Sequence, residues 1–149
     1  MQNLSSALRA AMVTEYGLAR MMRLGCIRIF SGAQPDTADD AEQGTLLATI
    51  TQDGLPFSYG FTAGGLQLKA GPVVGACQND GQWVMTVTTT GTAGWWRFIW
   101  NGGDSGSAAD YAPRIDGPIG EGLMLASTAL TAADVVPVDS FFLFMPPNS

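Results

Sequence analysis

Thirteen carboxylates, two cysteines and four tryptophans carry whatever chemistry this chain can perform, because the sequence contains no histidine. That absence removes the commonest general base, Ser-His-Asp and Cys-His nucleophilic catalysis, and the usual zinc ligands. Asp104, Asp110, Asp116 and Glu121 could together supply an acid and a base for glycoside cleavage, since such pairs are defined by their separation in the fold and not in the sequence. The order Asp104-Ser105-Gly106 is that of a catalytic aspartyl dyad. It follows Gly102-Gly103 instead of a buried apolar strand, however, and has no second copy with which to share a proton. Asp36, Asp39, Asp40 and Glu42 fall in one short loop, but not at the alternate-residue spacing with a glycine that wraps calcium, so they read as the turn-holding side chains of a solvated loop. Gly117–Gly122 is glycine-rich yet lacks the lysine and serine of a phosphate loop. Trp95 or Trp100 beside an aspartate could stack a sugar; their alternation with other large residues fits core packing better. Cys26 and Cys77 make no disulfide framework and read as small apolar fillers, with a single bridge as the alternative. The expectation is a chain with no catalytic residue, no cofactor and no metal.

The elements that would position these residues are organised around Gly94–Asp104. Trp96, Phe98 and Trp100 alternate with Trp95, Arg97 and Ile99, and Asn101-Gly102-Gly103 supplies a turn. The pattern predicts a central strand with an aromatic inner face, Trp96, Phe98 and Trp100 being its core residues. Trp83–Thr88 alternates in the same way and is rich in β-branched residues, so it reads as a neighbouring strand. Three large rings on one face demand a second layer to cover them. The predicted architecture is mainly β, a two-layer β-sandwich.

Around that centre the chain divides into short strands and tight turns, as nineteen glycines and eight prolines in 149 residues suggest. Strands are predicted at Cys26–Phe30, Thr45–Ile50, Leu66–Lys69, Val73–Cys77 and Leu123–Leu125, with Val135–Val138 and Phe141–Met145 forming a final strand. Pro137 marks an edge or a bulge, because proline cannot donate in a ladder. The connection between the first two of these strands is long enough to suggest an end connection of a sandwich and not a hairpin. Residues 5–24 are the helical candidate: Ser5 or Ser6 can cap the start, Gly25 can stop it, and Gly17 divides it into two short helices. The chain is read as one domain, 1–149, comprising an N-terminal helical segment, 1–25, and a β-sandwich, 26–149.

The net charge is −6 and unevenly placed. Arg9, Arg20, Arg23 and Arg28 against Glu15 make the first thirty residues positive, and the rest is strongly acidic. Such a body repels nucleic acid, whose binding needs phosphates neutralised by Lys and Arg. Nowhere are there eighteen consecutive apolar residues, and Arg9 and Glu15 interrupt any leader-like run, so neither a signal peptide nor a membrane span is expected. Arg9, Tyr16, Arg20 and Arg23 gather beside the apolar arc of the helical segment. They are the candidate protein-contact surface, since Arg and Tyr are enriched at interfaces.

The order of motifs adds a resemblance. Ile27-Arg28-Ile29-Phe30-Ser31-Gly32-Ala33-Gln34-Pro35 followed by Gly44-Thr45-Leu46-Leu47-Ala48-Thr49-Ile50 is similar to a block found in small virion structural proteins of tailed bacteriophages and prophages. Gly91–Arg97, Asn101–Asp104, Asp116-Gly117, Ser127–Leu130 and Val138–Phe141 continue it in order, and only Asp53–Gln82 has no counterpart. The resemblance implies a jelly-roll-like sandwich acting as a capsid cement or decoration protein. Its partners would be the major capsid protein and further copies of itself, as a dimer or trimer. Its location would be the outer surface of the virion head, after synthesis in the bacterial cytoplasm. Other proteins of this group are known only as structural, which leaves a tail or baseplate position, or a sugar-binding module, open. No catalytic residue comes with the resemblance.

Overall fold

The computed structural model describes residues 2–14, 17–108 and 111–144. In chain order its elements are β1 (Asn3–Leu4), α1 (Ser6–Thr14), α2 (Leu18–Met22), β2 (Cys26–Phe30), β3 (Leu46–Gln52), β4 (Gln67–Ala70), β5 (Ala76–Asp80) and β6 (Trp83–Val87). There follow β7 (Gly91–Thr92), β8 (Trp95–Ile99), β9 (Arg114–Pro118), β10 (Leu123–Met124), β11 (Ala129–Leu130), β12 (Val135–Pro137) and β13 (Ser140–Phe144). The protein is mainly β, in antiparallel sheets. A seven-stranded sheet runs β1-β9-β8-β2-β3-β6-β12, a four-stranded sheet β10-β13-β5-β4, and β7 pairs with β11. No helix among the described residues is long and apolar enough to cross a membrane.

The two larger sheets meet through aromatic rings. On the inner face of the seven-stranded sheet stand Trp83, Trp96 and Phe98, all buried, where the alternation of β6 and β8 puts them. Phe141 of β13 reaches across from the other sheet. Its ring centroid lies 4.9 Å from Trp83, 5.3 Å from Trp96 and 5.8 Å from Phe98. Leu8 of α1 and Met22 of α2 enter the same core, together with Ile27, Ile29, Ile50, Met85 and Ile115. Trp100 packs against this core only in part and stays half-buried just beyond β8, so the predicted ring trio is a buried pair with a half-exposed third member.

Several expectations are corrected by pairing order. Trp83–Val87 and Trp95–Ile99 share a sheet but are not neighbours, because β2 and β3 lie between them. Conversely β2 and β3 do form a hairpin, with a register shift at Ile29/Phe30, despite the long connection 31–45. Val135–Pro137 and Ser140–Phe144 belong to different sheets, and β12 is the edge that Pro137 announced. Val73 and Val74 sit in the turn before β5 and not in the strand. The N-terminal segment is not simply helical: β1 pairs with β9 at the other edge of the large sheet.

Local chemistry explains the two helices. The Ser5 hydroxyl accepts from the Leu8 N–H at 3.2 Å and so caps α1, as expected. After α2 the left-handed residue is Leu24, at φ 67, and not Gly25. Gly25 is needed for a different reason: a Cβ there would lie 1.9 Å from the carbonyl oxygen of Ile99.

Phe141→Ala should lower the unfolding free energy by about 3–5 kcal/mol, the range for removing a large buried ring, whereas Phe144→Ala on the exposed side of the same strand should cost less than about 1 kcal/mol. Urea unfolding of the two variants measures the difference.

Candidate functional site

The outer face of the large sheet carries buried polar side chains among buried apolar ones such as Phe30, Trp95 and Ile99. Cross-strand register places Asp116, Arg97 and Arg28 in one row, continued by Thr49 and Thr86. Arg97 donates from Nε and Nη2 to the two carboxylate oxygens of Asp116 at 2.7 and 2.8 Å. Arg114 grips Asp104 in the same two-pronged way, both bonds at 2.7 Å. Each guanidinium also reaches a loop backbone: Arg97 donates to the carbonyl of Asp40 at 2.9 Å, and Arg114 to those of Ala38 at 3.3 Å and Ser107 at 2.8 Å. Arg28 pairs with Glu42 and donates to the Tyr59 hydroxyl, which in turn donates to the carbonyl of Asp104.

This network accounts for two of the four carboxylates that sequence offered as catalytic. Asp104 and Asp116 are each locked to an arginine, and Glu121 accepts from the backbone N–H of Gln2. Asp110 lies outside the described residues. Burial pushes the Asp116 carboxyl up, against the downward pull of its hydrogen bond and charge pairing with Arg97. Arg97 Nη1 is buried without a hydrogen-bond partner among the described residues, and the guanidinium sits 5.3 Å from the Trp95 ring centroid. Trp95 is itself fully buried and stacked on Phe30 at 4.6 Å, which removes it as a sugar platform. Burial raises the Cys26 thiol to about 12, so it stays protonated at neutral pH. Cys26 and Cys77 are both free, and the bridge does not form.

The acidic loop is a structural cover and not only a solvated one. Ala38 is buried, and its carbonyl and that of Asp40 meet the arginines. Asp40 holds the loop's own turn by accepting from the Thr37 N–H at 2.9 Å. Asp39 reaches back to α1 and accepts from both the backbone N–H and the hydroxyl of Ser6. Those hydrogen bonds, the hydroxyl's first, hold the Asp39 carboxyl below its ordinary range. No group of three or more potential metal ligands occurs among the described residues.

Two concave surfaces bear on the candidate residues. One, of about 550 Å³, lies where the outer face is uncovered. Thr49, Thr51, Thr86 and Thr88 floor it, and Leu46, Leu55, Phe57 and Tyr59 rim it. The other, of about 400 Å³, lies between the end of α2 and the turn after β8, lined by Arg20, Met21, Arg23, Leu24, Trp100, Asn101 and Gly102. The structure therefore divides the predicted contact surface. Arg20 and Arg23 meet beside Trp100, while Arg9 lines a separate depression with Asp36 and Asp39. Tyr16 lies outside the described residues. Sequence reasoning did not bring Trp100 together with Arg20 and Arg23, and the threonine face escaped it as well. The alternation of Thr49 with Thr51 and of Thr86 with Thr88 was the available signal for the latter.

No protein-family model, curated protein or solved structure matches the chain.

Two outcomes are expected from this network. Asp116→Ala should destabilise the fold by about 3–5 kcal/mol by stranding a buried guanidinium, and the double replacement Asp116→Leu with Arg97→Met should cost less than that single change; urea unfolding tests both. Asp39 has a folded pKa below its unfolded value, so its contribution is complete above pH 3.8 and is lost as the pH falls through the folded value. Asp39→Asn keeps an acceptor but loses the charge at an exposed contact, so it should cost less than about 1 kcal/mol at pH 7. The gap to the parent protein should shrink as the pH falls below 3.8.

Proposed function

We propose that this chain is a structural protein of a phage virion, a capsid cement or decoration protein that binds over junctions of the major capsid protein and stabilises the head. The observation that carries the reading is how its side chains are committed. Asp104 and Asp116 are bound within the fold, while large apolar side chains stand exposed in groups: Val73 and Val74 at one hairpin tip, and Leu46, Leu55 and Tyr59 around the threonine face. That distribution suits a protein whose work is burial against neighbours.

The resemblance on which the reading also rests has a physical coherence. Its separate blocks contact one another: Arg97 pairs with Asp116, Gly117 lies under the Trp96 ring, and a Cβ on Gly94 would meet the carbonyl oxygen of Gly32 at 1.9 Å. A jelly-roll-like sandwich belongs to the same proposal, supported by two antiparallel sheets joined through Phe141. So does self-association as a dimer or trimer on the outside of the shell. The mechanism is linkage, in which a protein that binds only the assembled lattice stabilises that lattice.

The hydroxyl-lined threonine groove favours a second reading, a sugar-binding module at the tail or baseplate. Its one charged lining residue, Arg28, is already neutralised by Glu42, so a ligand there would be neutral.

Quantitation of purified particles decides between these. A copy number comparable with that of the major shell protein, and particles that open at lower temperature when the protein is missing, are expected for a cement protein. A few copies per particle would place it on the tail, and glycan binding abolished by Thr86→Tyr without loss of fold would favour the sugar module.

A further inference from the structure

We infer that the surface between α2 and the turn after β8 docks a carboxylate-bearing segment of the shell protein, with Arg23 as its ionic contact and Trp100 as its desolvated anchor. This rests on the functional reading above and names the partner chemistry of one face.

Charge is the first argument. The chain carries −6, yet Arg23 lines this groove with no carboxylate among the described lining residues. Arg28, Arg97 and Arg114 are all consumed by carboxylates of the fold, and Arg9 stands among Asp36 and Asp39. Arg23 is exposed and forms no ion pair among the described residues. An acidic body with a locally unpaired cation such as Arg23 attracts a short acidic segment to that place and repels an extended polyanion elsewhere.

Rigidity is the second. The Trp100 indole donates to the carbonyl of Gly103 at 2.7 Å, and Gly102 lies so close to the ring that a Cβ there would come within 2.5 Å of it. Asn101 pins the same turn, donating to the carbonyls of Leu24 and Phe61 and accepting from the Gly60 N–H, all at 2.9 Å. The ring is therefore held half-buried in one orientation before any partner arrives, which lowers the ordering cost of binding. Trp and Arg side by side are the residue types that dominate binding energy at protein interfaces.

Met21 and Leu24 complete the floor, so the complementary segment carries an acidic residue beside an apolar one. A nucleic-acid phosphate would satisfy Arg23 equally well, but the overall negative charge opposes it.

The test uses the full chain and purified particles assembled without it. Arg23→Glu should weaken binding about tenfold or more at moderate salt and reduce its salt dependence. Trp100→Phe should weaken binding to a smaller degree, with a thermal midpoint lowered only by the lost indole hydrogen bond, and Arg9→Ala should bind as the parent does. The chain has a single lysine, Lys69, so Arg23→Lys introduces a new amine that carbodiimide should couple to a carboxylate of the shell protein. That adduct should be absent with the parent chain. If the parent binds and Arg23→Glu binds equally well, the inference is overturned while the function stands. If the parent does not bind particles, the functional reading itself fails. Binding to duplex DNA that Arg23→Glu abolishes, with no carbodiimide adduct, would overturn the carboxylate assignment in favour of phosphate.

Discussion

Everything on the outer face of the large sheet depends on two arginine–carboxylate pairs buried out of water. Taking a guanidinium and a carboxylate out of solvent costs several kcal/mol each, and the pairing offsets this only when the remaining donors are also satisfied. Here they are satisfied largely by loop backbone: the carbonyls of Ala38, Asp40 and Ser107 face Arg97 and Arg114. The relation works in both directions. Loops poor in apolar side chains could not otherwise cover a sheet, because their own carbonyls would be buried without donors. Arginine, with five donors in a planar fork, supplies several carbonyls and one carboxylate at once.

The same commitment limits function. Asp104 and Asp116 cannot act as an acid and a base while each holds a guanidinium by both oxygens. What faces outward is of another kind: leucine and aromatic side chains around a threonine floor, a valine-tipped hairpin, and an indole beside exposed arginine. Groups of this kind suit contact with neighbours by area, shape and local charge, which is the basis for proposing that the chain is a structural component.

Much of the fold was legible because β-structure writes its local signal at period two. The aromatic alternation of Trp96 and Phe98, strands at Cys26–Phe30 and Thr45–Ile50, a cap at Ser5 or Ser6 and an edge or bulge at Pro137 could all be read one residue at a time, and the structure has β3 at Leu46–Gln52, the cap at Ser5 and an edge at Pro137. What could not be read was partner choice. Strand order is set by which ladders and faces the whole chain can satisfy together, so β2 and β3 insert between two segments that look like neighbours in sequence. Arg97 is the sharpest case. Alternation placed it on the face opposite Trp96 and Phe98 without saying what covers that face, and the loops around Ala38 and Ser107 are what make it a buried residue.

By itself the sequence determined the mainly β class, the inward aromatic face, the short helices at the start and the absence of histidine chemistry, because each follows from residue type and local spacing. Tertiary structure alone decided that Asp104 and Asp116 are structural, that Trp95 is buried while Trp100 is half-exposed, and that Arg9 parts company with Arg20 and Arg23. These are distances between segments remote along the chain, and they are set by the cost of leaving any buried charge or carbonyl unpaired.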